Sequence, residues 1–128
     1  MFTHVMLGAD DMDAAKAFYD ATLTVLGVPA GVVDERGRVH YAYEGGRLMI
    51  TRPINGQPAS CANGSTIGFH AKSPEMVDAW QAAGLAHGGT AIEDPPGIRE
   101  ATGGRRLYLA YLRDPAGNKI CAVHPVRG

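Results

Sequence analysis

The sequence predicts an α+β fold built from two βαβββ modules, and three observations carry that prediction. The order of short apolar strand, capped helix and run of short strands occurs twice along 128 residues. Both helical stretches place apolar residues three and four apart behind an acidic or hydroxyl cap. Between the two runs lies a stretch rich in proline, glycine and asparagine with no periodicity, which reads as a connector.

The elements follow in order. Thr3 to Leu7 is short and apolar and stops at Gly8, the signature of a strand. The acidic cluster Asp10-Asp11-Met12-Asp13 supplies a cap and favourable charge for a helix over about 11–26. Ala15, Phe18, Thr22 and Leu26 make its apolar stripe, and Gly27 its stop. Three strands follow at 31–34, 38–43 and 47–51, separated by the turns Glu35-Arg36-Gly37 and Glu44-Gly45-Gly46. The whole chain is read as one domain, 1–128, with module 1 at about 1–54, the connector at about 55–64 and module 2 at about 65–128.

Module 2 begins with a strand at 66–71. Ser73-Pro74-Glu75 then combines an N-cap, a proline at the first helical position and an acid in the first turn. Met76, Val77, Trp80 and Ala83 form a stripe that ends at Gly84, so the helix is expected over about 74–84, with Trp80 in the core. A weak strand at 90–92 precedes a long loop containing Pro95-Pro96-Gly97 and Gly103-Gly104. Strands at 107–112 and 119–124 flank the turn Asp114-Pro115-Ala116-Gly117-Asn118. One module is too small to bury both its helix and one sheet face. Pairing modules, within a chain or across a dimer, would close a curved sheet around a cavity.

Composition narrows the function. Lys and Arg total 12 against 13 for Asp and Glu, so no charge excess favours nucleic acid or an anionic membrane as a partner. The start of the chain lacks a signal peptide's basic region, and no apolar run approaches a membrane span, so the cytoplasm is the expected compartment. Cys61 and Cys121 show no metal-type spacing and are expected as free thiols.

Certain motifs resemble the glyoxalase/bleomycin-resistance/dioxygenase superfamily, also called vicinal oxygen chelate proteins. They are His4-Val5-Met6-Leu7 before the acidic cap, Ala17-Phe18-Tyr19-Asp20 with Leu26-Gly27, and Asp114-Pro115-Ala116-Gly117-Asn118-Lys119, close to the family's DPDGN turn. The resemblance implies curved mixed sheets around a cavity that holds a small organic molecule. It also implies a homodimer, and in metal-using members two ligands from the first and fourth strands of each module. Those slots fall here at His4, Met49, Thr66 and Cys121. Only His4 is of a standard ligand type for a divalent metal, so no metal cofactor is expected.

His4 is read as a hydrogen-bonded imidazole beside Phe2 and Met6, and Met49 and Cys121 as soft residues lining the cavity. A soft copper site from His4, Met49 and Cys121 is the sharper alternative. Tyr111 matches a substrate-contacting tyrosine of the family's phosphonate-antibiotic-resistance members. His70 is expected to end its strand in water. Arg52, Arg99, Arg105 and Arg106 read as surface charge, with anion capture at the cavity mouth as the alternative. His40, His87 and His124 show no spacing that points to a joint site. The leading functional expectation is a small-molecule-binding member with a degenerate metal site, lined by His4, Met49, Thr66, Tyr111 and Cys121. The rivals are a metal-dependent lyase or transferase with non-standard ligands, and an antibiotic-sequestering protein without catalysis.

Overall fold

The first helix, α1 (Met12–Val25), begins where Asp11 accepts the Ala14 backbone N–H and ends in a Schellman turn. At that turn Gly27 takes φ 95°, and Val28 N–H reaches back to Leu23 O at 3.0 Å. The second, α2 (Pro74–Ala86), is capped by Ser73, whose side chain accepts from Met76 N–H, with Pro74 in the first turn where a missing donor costs nothing. The computed structural model describes residues 1–127.

Eight strands form two separate four-stranded sheets. The first contains β1 (Val5–Gly8), β2 (Val32–Val33), β3 (Val39–Tyr43) and β4 (Gly46–Thr51), in the order β1-β4-β3-β2. The second contains β5 (Ile67–His70), β6 (Thr90–Glu100), β7 (Arg106–Arg113) and β8 (Lys119–Val126), in the order β5-β8-β7-β6. In each, the first strand runs parallel to the fourth and the other pairings are antiparallel. The paired-module α+β architecture is therefore present. The sheets are not closed on one another, however, because β1 and β5 are both edge strands that pair with a single neighbour.

One core serves both modules. Alternation sends Leu48, Ile50, Val39 and Tyr41 of the first sheet, and Ile120, Ala122, Ala110 and Leu112 of the second, into a single cluster with Phe18, Tyr19 and Trp80. The helices pack against each other inside it. Trp80 is wholly buried, as its stripe predicts. Gly84 is not the helix stop that the sequence suggests. It lies inside α2, where an added Cβ would come within 2.3 Å of Leu112 Cδ1, so its role is close approach rather than termination.

A further correction concerns β6. The expected strand at 90–92 and the part of the loop after it through Glu100 form one 11-residue strand against β7, and Thr102–Gly104 make a short 3-10 turn. The ladder skips from Ile92 to Gly97, and Pro95 and Pro96, which have no N–H to offer, sit in the bulge between them.

The Asp114 turn welds the modules together. Asp114 Oδ1 accepts the Ala116 and Asn118 N–H groups, and Oδ2 accepts Asn118 Nδ2 and the Tyr19 hydroxyl, the latter at 2.6 Å. Asn118 Nδ2 also donates to Gly8 O at 3.0 Å. A turn of module 2 thus holds both α1 and β1 of module 1.

Candidate functional site

The face of each sheet turned away from the core carries the polar and sulfur-bearing side chains. On the first sheet, Met6, Met49 and His40 are successive register partners. On the second, Gly68, Cys121 and Tyr111 occupy the equivalent row. The two modules therefore match position for position, with Met49 corresponding to Cys121 and His40 to Tyr111.

Of the sequence-derived site residues, Tyr111 and Cys121 are brought together as cross-strand partners. Cys121 is buried, and burial pushes its thiol up to about 11, with Lys119 partly opposing the shift. It is protonated near neutrality, so it is neither an activated nucleophile nor a ready thiolate ligand. Burial likewise raises the Tyr111 hydroxyl, helped by Cys121 and Glu93. Met49 is buried on the first sheet. His4 and Thr66 are exposed and lie one residue before β1 and β5. The His4 Nδ1 lies 2.9 Å from the hydroxyl of Thr3.

Sequence spacing gave no hint of two polar groupings on these faces. Lys119 lies over the Tyr111 ring, 4.7 Å from its centroid, and also pairs with Glu93. Glu93 lies in the β6 bulge, at φ 59°. On the first sheet, Asp34, His40 and Arg47 form a connected chain, with His40 2.7 Å from Asp34 and 3.2 Å from Arg47. Asp34 and His40 are six positions apart across a hairpin, a spacing that register alone turns into contact.

Five further candidates face backbone carbonyls. Arg52 donates to Asp10 O, Arg99 to Asp94 O and Pro95 O, and Arg105 to Thr102 O. His87 and His124 face the Ala83 and Ala71 carbonyls. His70 is exposed at the end of β5.

A cleft of about 370 Å³ opens where the two modules meet. Leu23, Leu26, Leu48, Ile67 and Phe69 give it apolar walls, and His4, Glu44, Arg47, His70 and Lys72 supply polar groups. Of the five sequence-derived site residues, His4 alone lines it.

The donor set does not fit a catalytic divalent cation at the family slots. Met49 offers a neutral thioether, Thr66 a hydroxyl and Cys121 a thiol held protonated, and none of the four slot residues is a carboxylate that could offset charge. Among the described residues no group of three or more His, Cys, Asp or Glu side chains is arranged to hold a metal ion. The same thiol argues against the soft copper alternative.

Comparison with known proteins agrees with the fold. Residues 1–122 match the Glyoxalase/Bleomycin resistance protein/Dioxygenase superfamily. A glyoxalase/bleomycin resistance protein from Albidiferax ferrireducens T118 is 56% identical, with TM-score 0.92 over 97% of this chain and 98% of that one. A lactoylglutathione lyase from Agrobacterium tumefaciens is 25% identical, with TM-score 0.64 over 97% and 92% of the two chains. A putative glyoxalase from Bacillus halodurans superposes with TM-score 0.75 at 22% identity, covering 98% and 96%. A search of curated proteins finds no match. A family match over nearly the whole chain and a solved relative sharing more than half its residues lead to one conclusion: the chain belongs to the glyoxalase/bleomycin resistance protein/dioxygenase superfamily.

Proposed function

We propose that this protein binds a small organic molecule in the cleft between its modules, without a resident divalent cation at the four family slots. The observation that carries the reading is the cleft itself, about 370 Å³ with apolar walls and a few polar side chains. That size and composition are those of small-molecule sites, in which apolar surface supplies affinity and a few polar groups fix orientation. His4 lies just before β1 and His70 at the end of β5, and Arg47 favours a ligand with an anionic group, whereas Lys72 is paired with Glu44. A metal-dependent lyase or transferase activity is not favoured by the donors present.

The test is a fluorescence titration with 1-anilinonaphthalene-8-sulfonate, an apolar anion. One saturable site is expected, abolished by Val28→Trp, which fills the cleft from its half-buried wall. Non-saturable binding, or binding indifferent to Val28→Trp, counts against the cleft.

The unclosed sheets support a homodimer in which a second copy covers the open faces. Met6 and Val32 are 41% and 68% exposed there, and two-fold pairing is the commonest oligomer. A monomer mass by sedimentation at micromolar concentration would count against it. The two free thiols accord with a cytoplasmic setting, and among the described residues no helix is long and apolar enough to cross a membrane.

A further inference from the structure

The cleft between the modules has a buried apolar floor and an exposed polar rim. Leu23, Leu26 and Leu48 on the floor are all buried, whereas Glu44, Arg47, His70 and Lys72 are exposed. The rim gathers the turn between β3 and β4 and the end of β5, because Lys72 lies 3.9 Å from Glu44. Arg47 follows Glu44 by three positions and His70 precedes Lys72 by two, so both belong to that same rim.

The charges on the rim do not cancel. Lys72 and Glu44 offset each other, while Arg47 has no carboxylate within ion-pair distance among the described residues. One positive charge is therefore left over. The Arg47 side chain makes a single contact, Nη1 to His40 Nδ1 at 3.2 Å, so most of the guanidinium's N–H groups are free for a planar acceptor. His70 adds a further polar group. Histidine side-chain bonds among the described residues involve His4, His40, His87 and His124, and His70 takes part in none. The walls are partly aromatic, with Tyr43 from the first module and Phe69 from the second, both half-buried. Rings of this kind prefer to meet another ring edge-on or offset.

We propose that the cleft is a site for small aromatic monocarboxylates, an inference that rests on the cleft being the ligand site. The ring lies on the apolar floor between Tyr43 and Phe69, and the carboxylate takes the free N–H groups of Arg47 at the rim. A volume of about 370 Å³ accommodates a single ring with a short acid arm. Glu44 sets the limit of one negative charge, since it stands on the same rim and opposes a second. Arg47 is thus the residue that binds the anion, and Glu44 the one that rejects dianions.

The experiment is a calorimetric titration with phenylacetate, alongside 2-phenylethanol, cyclohexylacetate, acetate and phenylmalonate. Phenylacetate is expected to bind at one saturable site that Val28→Trp abolishes. Arg47 is exposed, which limits its expected contribution, so Arg47→Gln and the neutral 2-phenylethanol should each bind about ten-fold more weakly. Cyclohexylacetate should be weaker by about three-fold or more, the share of ring-to-ring contact, and acetate should not saturate. The dianion phenylmalonate should bind more weakly than phenylacetate to the intact protein and should gain about ten-fold in Glu44→Gln, where Lys72 is released. That gain requires a folded site, so it separates a specificity role for Glu44 from simple damage. Phenylacetate binding no tighter than 2-phenylethanol, or unchanged in Arg47→Gln, overturns the proposal, as does a phenylmalonate affinity indifferent to Glu44→Gln. If 1-anilinonaphthalene-8-sulfonate still saturates in a manner sensitive to Val28→Trp, only the ligand class has failed. If neither compound saturates, the cleft reading fails with it.

Discussion

Replacing Tyr19 with phenylalanine isolates the weld between the modules. The ring is wholly buried and stacks edge-on against Phe18 with centroids 4.9 Å apart, so phenylalanine preserves the packing and removes only the hydroxyl. What is lost is the 2.6 Å bond to Asp114, which is 5% exposed. Hydrogen bonds to charged groups contribute about 1.5–3 kcal/mol. Asp114 Oδ2 keeps Asn118 Nδ2 as a donor, which places the expected loss toward the lower part of that range, at about 2 kcal/mol. With an unfolding entropy of about 2 cal/mol/K per residue, the melting temperature should fall by about 7 °C.

The variant should also change the alkaline limb. Burial first, then Asp114, raises the Tyr19 phenol well above its ordinary value of about 10. A group whose pKa is higher folded than unfolded gives its full stabilisation below the unfolded value. It loses that stabilisation as pH rises toward the folded value. Stability should therefore decline above about pH 10, and less steeply in Tyr19→Phe, with Tyr41 still contributing because burial and Asp20 raise its phenol too. Urea titrations from neutral pH upward provide the assay. A midpoint unchanged at neutral pH, together with an unaltered alkaline slope, would refute the role assigned to this bond.

Other outcomes are as direct. Gly84→Ala should destabilise by about 1–3 kcal/mol in thermal melts despite alanine's better helix propensity, because the new methyl meets wholly buried Leu112. In a thiol-reagent assay Cys61, which is exposed, should react promptly, whereas Cys121, buried with its thiol near 11, should react only after unfolding. The triple variant Met49→Glu, Thr66→His, Cys121→Glu should bind nickel or zinc by calorimetry where the parent does not. Equal binding by both would show that these positions and His4 do not converge.

Helix ends and the Asp114 turn are legible in the sequence because local chemistry decides them. Asp11, Ser73 and Pro74 act within their own first turns, and Gly27 is needed for its positive φ. Gly84 was misread for the same reason: local chemistry calls it a stop, whereas Leu112 across the core makes it a spacer. The extent of β6 depends on β7, which holds the chain on both sides of Pro95 and Pro96. The partnership of Tyr111 with Cys121 follows from strand alternation once register is known. That of His40 with Asp34 and Arg47 depends on the turn between β2 and β3 and on a cross-strand diagonal, neither of which spacing reveals.

The bulge in β6 also bears on solubility. Exposed strand edges invite a second chain to extend the ladder, and a β-rich protein is vulnerable wherever such an edge is long and flat. On the outer rim of the second sheet, any added strand would meet Pro95 and Pro96, two positions with no N–H to share, at a point where the backbone already bends. On the outer rim of the first sheet, β2 is only two residues long and offers little template. Uncontrolled edge-to-edge growth is thus hindered at the β2 and β6 rims. Replacing the two prolines with threonine would leave the pairing with β7 intact while turning this rim into a site for aggregation.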